Sequence, residues 1–357
     1  MTTPLLITGI GAVTAVGLNA VQTCAAVRAG LSGFRKAVAL PAPQQPILGA
    51  VVPASRALKR LPEAWLVNLA ARVIGEALPD RSRAVDPVLL LVVPDTLRRH
   101  PGLREGAGAH LIERIGEQTQ IRFDMRSRTV EGGAAEGLAA LPVVRDLLLK
   151  EGVRQCVIAG VDSLVNRDDL SRLRAASRLH GADQPQGVVP GEGAACIALT
   201  IDAGIGAHAR AQVLGAGAAL EGESETAIGP RYSVGIALQS ALEDTVRDAG
   251  CDEASVDFRV SDMNGERYRA WESTICAARF YRTRRERLAV WYPAMSVGEI
   301  GAAAGVLGIA IAARALERGY APGPLAMCEA SSDGPLRAAC VVAPAPAARR
   351  PPFRSIE

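Results

Sequence analysis

The chain has 357 residues, 49% of them hydrophobic and 22% charged, with 36 glycines; such a composition supports a large buried core and excludes a disordered or collagen-like protein. At roughly 150 residues per domain the length points to two halves. Forty Lys and Arg against 37 Asp and Glu leave a net charge of +3, and only 5 Phe, 5 Tyr and 3 Trp are available for base stacking, which argues against nucleic acid as the main partner.

In chain order, residues 5–10 predict a short apolar strand entering a glycine-rich turn (Gly9, Gly11, Gly17), and residues 20–29 have helical spacing. Residues 87–93 predict a buried strand, 133–150 a helix and 155–161 a second buried strand. The second half repeats the theme: a helix at 233–249, striped by Leu238, Ala241, Leu242, Thr245 and Ala249, then a strand at 256–261, a helix at 300–317, and strands at 325–329 and 338–342. Alternation of this kind means an α/β fold. The segments AAEGLAAL from Ala134 and AAAGVLGI from Ala302 resemble each other, as expected either of a duplication or of two alanine-rich helices alike by composition. The small-residue stretch 201–212 is the expected boundary, giving halves at 1–205 and 206–343, and the Pro/Arg-rich tail 344–357 is expected to be extended.

Several site classes are excluded. The longest uncharged apolar stretch, residues 300–313, stops at Arg314, short of the roughly 20 residues of a membrane span. The opening MTTPLLITGIG lacks a signal peptide's basic start and cleavage site, so a soluble, cytoplasmic chain is expected. Seven cysteines (Cys24, Cys156, Cys196, Cys251, Cys276, Cys328, Cys340) form no C-x-x-C pair, so neither a zinc site nor a disulfide framework is expected. In ITGIGAVTAVG, Thr14 stands where a dinucleotide fingerprint needs its third glycine, and the first acid of the chain is Glu63, too distant to meet a ribose. No cofactor is expected.

Four segments in matching order, ITGIGAVTAVG with AVRAGLSGF, CVIAGVDSL from Cys156, GVVPGEGAACIAL from Gly187 and SVGEIGAAAG from Ser296, resemble the β-ketoacyl synthases of the thiolase superfamily. The resemblance implies a duplicated five-layer αβαβα fold and a dimer formed through a strand of the first half. In that family a cysteine at a strand-to-helix turn, in a pattern like ACASGLAAL, takes the acyl chain as a thioester, with its pKa lowered by the helix N-terminus and the oxyanion held by backbone N–H groups. The matching run here is GAAEGLAAL, and the nucleophile position falls on Ala134. Two histidines then polarise the thioester carbonyl and assist decarboxylation; this chain reads DMNGERY and MSVGEIGAAAG, placing Asn264 and Glu299 there, and no histidine follows His208. The lysine usual before the second motif aligns with Ala294, the acyl-gating Phe with Val188, and the glycine-rich closing loop with SDGPLRA, which keeps only Gly334.

The remaining candidates have two readings each. Glu299 is either an acid in the first turn of the following helix, which is the favoured reading, or a general base facing Asn264 across a pocket that raises its pKa. Glu131 and Glu136 flank Ala134 and are expected at exposed helix ends, although a shifted turn would bring either into the cavity. In GEG at residues 191–193, a tight turn with a buried, paired Glu192 is expected. NGERYRAWE, residues 264–272, either covers the old site and offers Arg267, Tyr268, Arg269 and Trp271 to an anionic ligand or a partner, or is the start of a solvated surface helix. The basic run Arg28, Arg35, Lys36, Arg56, Lys59 and Arg60, before any acid, suits an acidic partner such as an acyl carrier protein, and equally a plain soluble surface. The sequence therefore predicts a ketosynthase homologue without condensing activity, acting as partner, scaffold or adaptor in a homodimer or beside a ketosynthase-like protein. The alternative is an acyltransferase or condensing-type enzyme acting on acyl thioesters, with Asn264 as carbonyl hydrogen-bond donor and Glu299 as base.

Overall fold

A computed structural model of the chain describes residues 2–38, 47–53, 62–79, 85–95, 107–202, 204–222, 226, 227, 229 and 231–346; Arg56, Lys59 and Arg60 of the basic run, and the tail beyond residue 346, lie outside them. The elements are β1 (Leu5–Val13), α1 (Ala20–Arg28), β2 (Phe34–Val38), β3 (Ile47–Ala50), α2 (Pro62–Ala77), β4 (Val88–Pro94), α3 (Ala107–Thr119), β5 (Arg128–Gly132), α4 (Glu136–Ala139), α5 (Leu141–Lys150), β6 (Cys156–Ser163) and α6 (Arg167–Ala175). There follow β7 (Glu192–Thr200), β8 (Ala211–Leu220), α7 (Ile236–Ala249), β9 (Phe258–Ser261), α8 (Arg267–Phe280), β10 (Ala289–Trp291), α9 (Ala294–Val297), α10 (Ala304–Glu317), β11 (Ala326–Ser331) and β12 (Leu336–Pro344).

Ten strands form one sheet in the order β10, β9, β11, β12, β8, β1, β7, β6, β4, β5. Read from its two ends the order is the same: β4 lies parallel between β5 and β6, as β9 lies parallel between β10 and β11, and β7 and β12 then run antiparallel to their neighbours. The two arms join where Leu5, Leu6 and Ile7 of β1 pair with Val213, Gln212 and Ala211 of β8.

Period-two alternation separates the layers. Leu89, Leu91 and Val93 of β4 pack on Trp65, Leu69 and Val73 of α2 and on Leu111 and Ile115 of α3, whereas Leu90 and Val92 face the opposite side. There Leu138, Leu141, Leu307 and Ile311, from the helices between the arms, also meet Val260, Cys328 and Cys340 of the second arm. Leu238, Leu242, Cys276 and Phe280 of α7 and α8 cover the far side of the second arm against Met327, Ala339 and Val341. Helix, sheet, helix, sheet, helix is the five-layer arrangement expected. α10 lies in the middle layer, and residues Gly305 to Ala315 of it are all buried, Arg314 included, as expected of a helix apolar all round up to Ala313.

Three local expectations are revised. β1 runs through Gly9 and Gly11 instead of turning there, because α2 crosses it so closely that a Cβ at either glycine would lie 1.9 Å from the Ala77 carbonyl oxygen or 2.1 Å from that of Val73. The helix predicted over 133–150 begins only at Glu136 and divides at Ala140, where Pro142 enters the first turn of α5. The helix predicted from residue 300 opens with a 3₁₀ turn, Gly301–Ala303.

Candidate functional site

A cleft of about 280 Å³ opens where β5 gives way to α4, bounded by Gly301, the loop Ser332 to Gly334 and the α6–β7 connection. Ala134, Val188, Arg269 and Glu299 all line it. Asn264 stands one bond behind, its Nδ2 donating to Glu299 Oε2 at 2.5 Å and to Glu266 Oε2 at 3.2 Å. Ala134, Asn264 and Glu299, which the sequence resemblance sets against the family triad, thus lie at or just behind one cleft wall, carrying a methyl, an amide and a carboxyl. Among the described residues none of the seven cysteines lines the cleft; burial pushes the Cys24 and Cys156 thiols up to about 12.

Glu299 stands just before the helix start, as the favoured reading expects, with its carboxyl bonded on both oxygens. Its Oε1 accepts the Gly301 N–H at 2.7 Å, capping the 3₁₀ turn that starts α10, while Oε2 faces Asn264. Burial pushes its pKa up, opposed by the Arg269 charge and the Asn264 bond. Gly301 has φ +47°, and a Cβ there would lie 2.0 Å from Asp162 Oδ2, so only glycine allows this turn. Asp162 itself accepts from Ser163 N at 2.7 Å and Ala302 N at 3.0 Å, and burial pushes it up to about 8.

At the turn around Ala134, Glu136 Oε2 accepts from Gly133 N at 2.7 Å and from Ser332 Oγ at 2.5 Å, while Ser332 Oγ accepts the Ala135 N–H at 3.1 Å. The exposed helix-end position expected of Glu136 is therefore corrected: these donors hold it in the cleft wall, and burial raises its pKa. Glu131 lies on β5, partly buried. The two N–H groups flanking Ala134 are already engaged within the chain.

The roof is an ion cluster. Arg178 grips Glu266 through Nε at 2.6 Å and Nη2 at 2.8 Å, and Asp333 through Nη1 at 2.7 Å and Nη2 at 2.9 Å. Burial pushes Asp333 up, but the Arg178 bond and charge, with Arg269, outweigh it and hold the carboxyl at about 2. Arg269 reaches Asp262 Oδ2 and Asp333 Oδ1, each at 3.3 Å, and donates to the Ser331 carbonyl. Desolvation of its carboxyl pushes Asp262 up to about 7 against the pull of Arg269.

Other candidates separate by the face they occupy. Val188 is fully buried among Ile47, Leu164, Leu170, Leu173 and Leu179. Tyr268 points inward, accepting from Arg337 Nη2 at 2.8 Å and donating to Glu272 at 3.4 Å; Arg267 and Trp271 of the same helix are exposed. Ala294 begins α9. Glu192 opens β7 instead of sitting in a tight turn, accepting from Val52 N at 2.9 Å, Trp65 Nε1 at 3.0 Å and Ser163 Oγ at 3.0 Å. Arg178, Glu266, Asp333, Asp162 and Asp262 were not singled out from sequence. All but Arg178 lie inside segments that carry the resemblance, where a charged residue in an otherwise apolar or small-residue run is the available signal. Among the described residues no group of His, Cys, Asp and Glu is placed to hold a metal ion, and no helix is long and apolar enough to cross a membrane.

No family model and no curated protein matches the chain. Solved structures do. A ketosynthase from module 6 of the bacillaene synthase of Bacillus subtilis 168 superimposes with a TM-score of 0.77 at 14% identity, over 96% of this chain and 72% of that one. The ishigamide ketosynthase/chain length factor gives 0.75 at 17% identity, over 96% and 100%. A type II polyketide synthase acyl-carrier protein in complex with its ketosynthase bound to the hexaketide gives 0.76 at 13% identity, over 96% and 100%. The chain therefore has the thiolase-like fold of ketosynthases and chain length factors.

Proposed function

We propose that this chain is a ketosynthase-fold protein without condensing activity, working as a non-catalytic partner or scaffold in a dimer, with itself or with a ketosynthase-like protein, in the cytoplasm. One observation carries the reading: the cleft wall has the methyl of Ala134 where the resembling family has its thiol. A methyl group forms no thioester. The reading divides the chain into halves 1–205 and 206–343, which the mirrored strand order supports. The structural neighbours include a ketosynthase/chain length factor and a ketosynthase with its acyl-carrier protein, which supports a partner of ketosynthase or carrier type.

The alternative, a non-covalent enzyme using Asn264 as carbonyl donor and Glu299 as base, is less well supported. Both hydrogens of the Asn264 amide are directed at carboxylates of the chain itself, which leaves no donor for a substrate carbonyl.

Purification of the tagged protein from its native cell, with the stoichiometry of what accompanies it, tests the partner role. A ketosynthase-like protein, a carrier protein or another defined protein in simple ratio is expected. Recovery of the chain alone, together with turnover of acyl and malonyl thioesters above a Glu299→Ala control, overturns the reading.

A further inference from the structure

Helix α8 has two unlike faces. Tyr268, Arg269, Glu272, Cys276 and Phe280 are buried, whereas Arg267, Trp271, Thr274 and Ala278 are exposed at steps of four, three and four, which places them on one outward stripe. The stretch leading into α7 runs beside it. The Tyr232 ring stacks on Tyr268 with centroids 6.2 Å apart, the Val234 carbonyl accepts from Arg279 Nη1 at 2.6 Å, and a Cβ on Gly235 would lie 3.2 Å from the Glu272 carbonyl oxygen. Tyr232, Val234, Ile236 and Trp271 are 53%, 40%, 57% and 52% exposed, an apolar patch on the second arm's outer layer.

The rim of this patch is mainly cationic: Arg231, Arg267, Arg279 and Arg282 are exposed, against Glu243 of α7 and Glu286, the one exposed acid between residues 267 and 287. Exposed Trp, Tyr and Arg together are the residue types that dominate binding energy when an interface covers them. A second copy of this chain is a poor occupant, because a two-fold contact on the patch sets arginines against arginines. A polyanion such as RNA satisfies the arginines but gives Val234 and Ile236 nothing apolar to meet.

We propose that this face docks an acidic segment of a different protein, with apolar residues at helical spacing that cover Trp271 and Ile236 while its carboxylates meet Arg267 and Arg282. The inference goes beyond the non-catalytic reading and is independent of the cleft.

The test titrates the full chain with four probes: a labelled helix-forming peptide with a Leu stripe flanked by Glu, the same peptide with Lys for Glu, vesicles of phosphatidylserine and phosphatidylcholine, and single-stranded RNA. The acidic, Leu-striped peptide is expected to bind best, to weaken as salt is added, and to lose about tenfold or more in affinity in Trp271→Ala and in Arg267→Glu with Arg282→Glu. These side chains are exposed, so the variants should melt as the parent does. No binding of that peptide, equal binding of both peptides, tighter binding to vesicles or RNA, or a homodimer lost on Trp271→Ala overturns the proposal. Acyl transfer by the cleft sinks the reading above and leaves this one standing.

Discussion

Arg178 and Asp333 are held together by two charge-assisted bonds of 2.7 and 2.9 Å, and the same guanidinium grips Glu266. The first arm's α6–β7 connection is thereby clasped to two loops of the second arm directly over the cleft.

Removing that clasp should be costly, because two carboxylates then lose their shared cation. Arg178→Met is expected to lower unfolding stability by about 3 kcal/mol in urea denaturation. Arg178→Lys should recover only part of it, since an ammonium cannot reproduce the paired guanidinium bonds. Asp333→Asn should cost less than Arg178→Met, because its side chain is partly exposed and screened. An Arg178→Met protein as stable as the parent contradicts the clasp.

The cleft carboxyls predict an unusual dependence on pH. Asp162, pushed up to about 8 by burial, keeps a proton that the unfolded chain releases near the ordinary value of about 4. Between those values the folded state binds more protons than the unfolded one, so its contribution is whole below about pH 4 and lost as pH rises through about 8. Asp262, pushed up to about 7, acts in the same sense, as do Glu136 and Glu299. Asp333, held at about 2, acts oppositely: its contribution is present above about pH 4 and is lost as the solution is acidified towards pH 2. Stability should therefore fall from about pH 5 to about pH 8.5, and Asp162→Asn should flatten the fall while losing about 1 kcal/mol for an imperfect bond to Ser163 or Ala302. Urea midpoints across that range check it; an unchanged slope in the variant contradicts the assignment.

Gly137 and Gly305 occupy the fourth position of the two similar segments, AAEGLAAL and AAAGVLGI, and the structure packs those segments against each other. A Cβ at Gly305 would lie 2.1 Å from the Ala134 carbonyl oxygen, and one at Gly137 would lie 2.5 Å from Val306 Cγ2. Backbone cannot yield as a valine side chain can. Gly305→Ala should cost about 2 to 3 kcal/mol, whereas Gly137→Ala should cost less, about 1 kcal/mol, because the helix preference for alanine offsets part of the shift that the buried, β-branched Val306 must make. Equal effects in thermal unfolding contradict this packing.

Much of the architecture was legible in the sequence because 88–94 and 156–161, in strands that pair parallel, are continuous apolar runs, and α10 is apolar up to Arg314. The resemblance located Ala134, Asn264 and Glu299 in three separate segments, and the fold brings Ala134 and Glu299 into one cleft wall with Asn264 bonded behind Glu299. The charge cluster was not legible, because Arg178, Glu266 and Asp333 are separated by 88 and 155 residues from donor to acceptor and no periodicity links such positions. Helix α8 was misleading in a similar way: its arginines look alike in sequence, yet Arg269 is buried in the cleft wall and Arg267, two residues earlier, is exposed.

The non-catalytic role requires a cleft that takes no acyl group. Incubation of the purified chain with acyl and malonyl thioesters, followed by intact-protein mass and product analysis, tests this directly, with Ala134→Cys alongside. An unmodified parent chain and no condensation product from either protein are expected, since the variant has no histidine at Asn264 or Glu299 and its flanking N–H groups remain bound to Glu136 and Ser332. A covalent acyl adduct on the parent, or a 3-oxoacyl product above background, contradicts it.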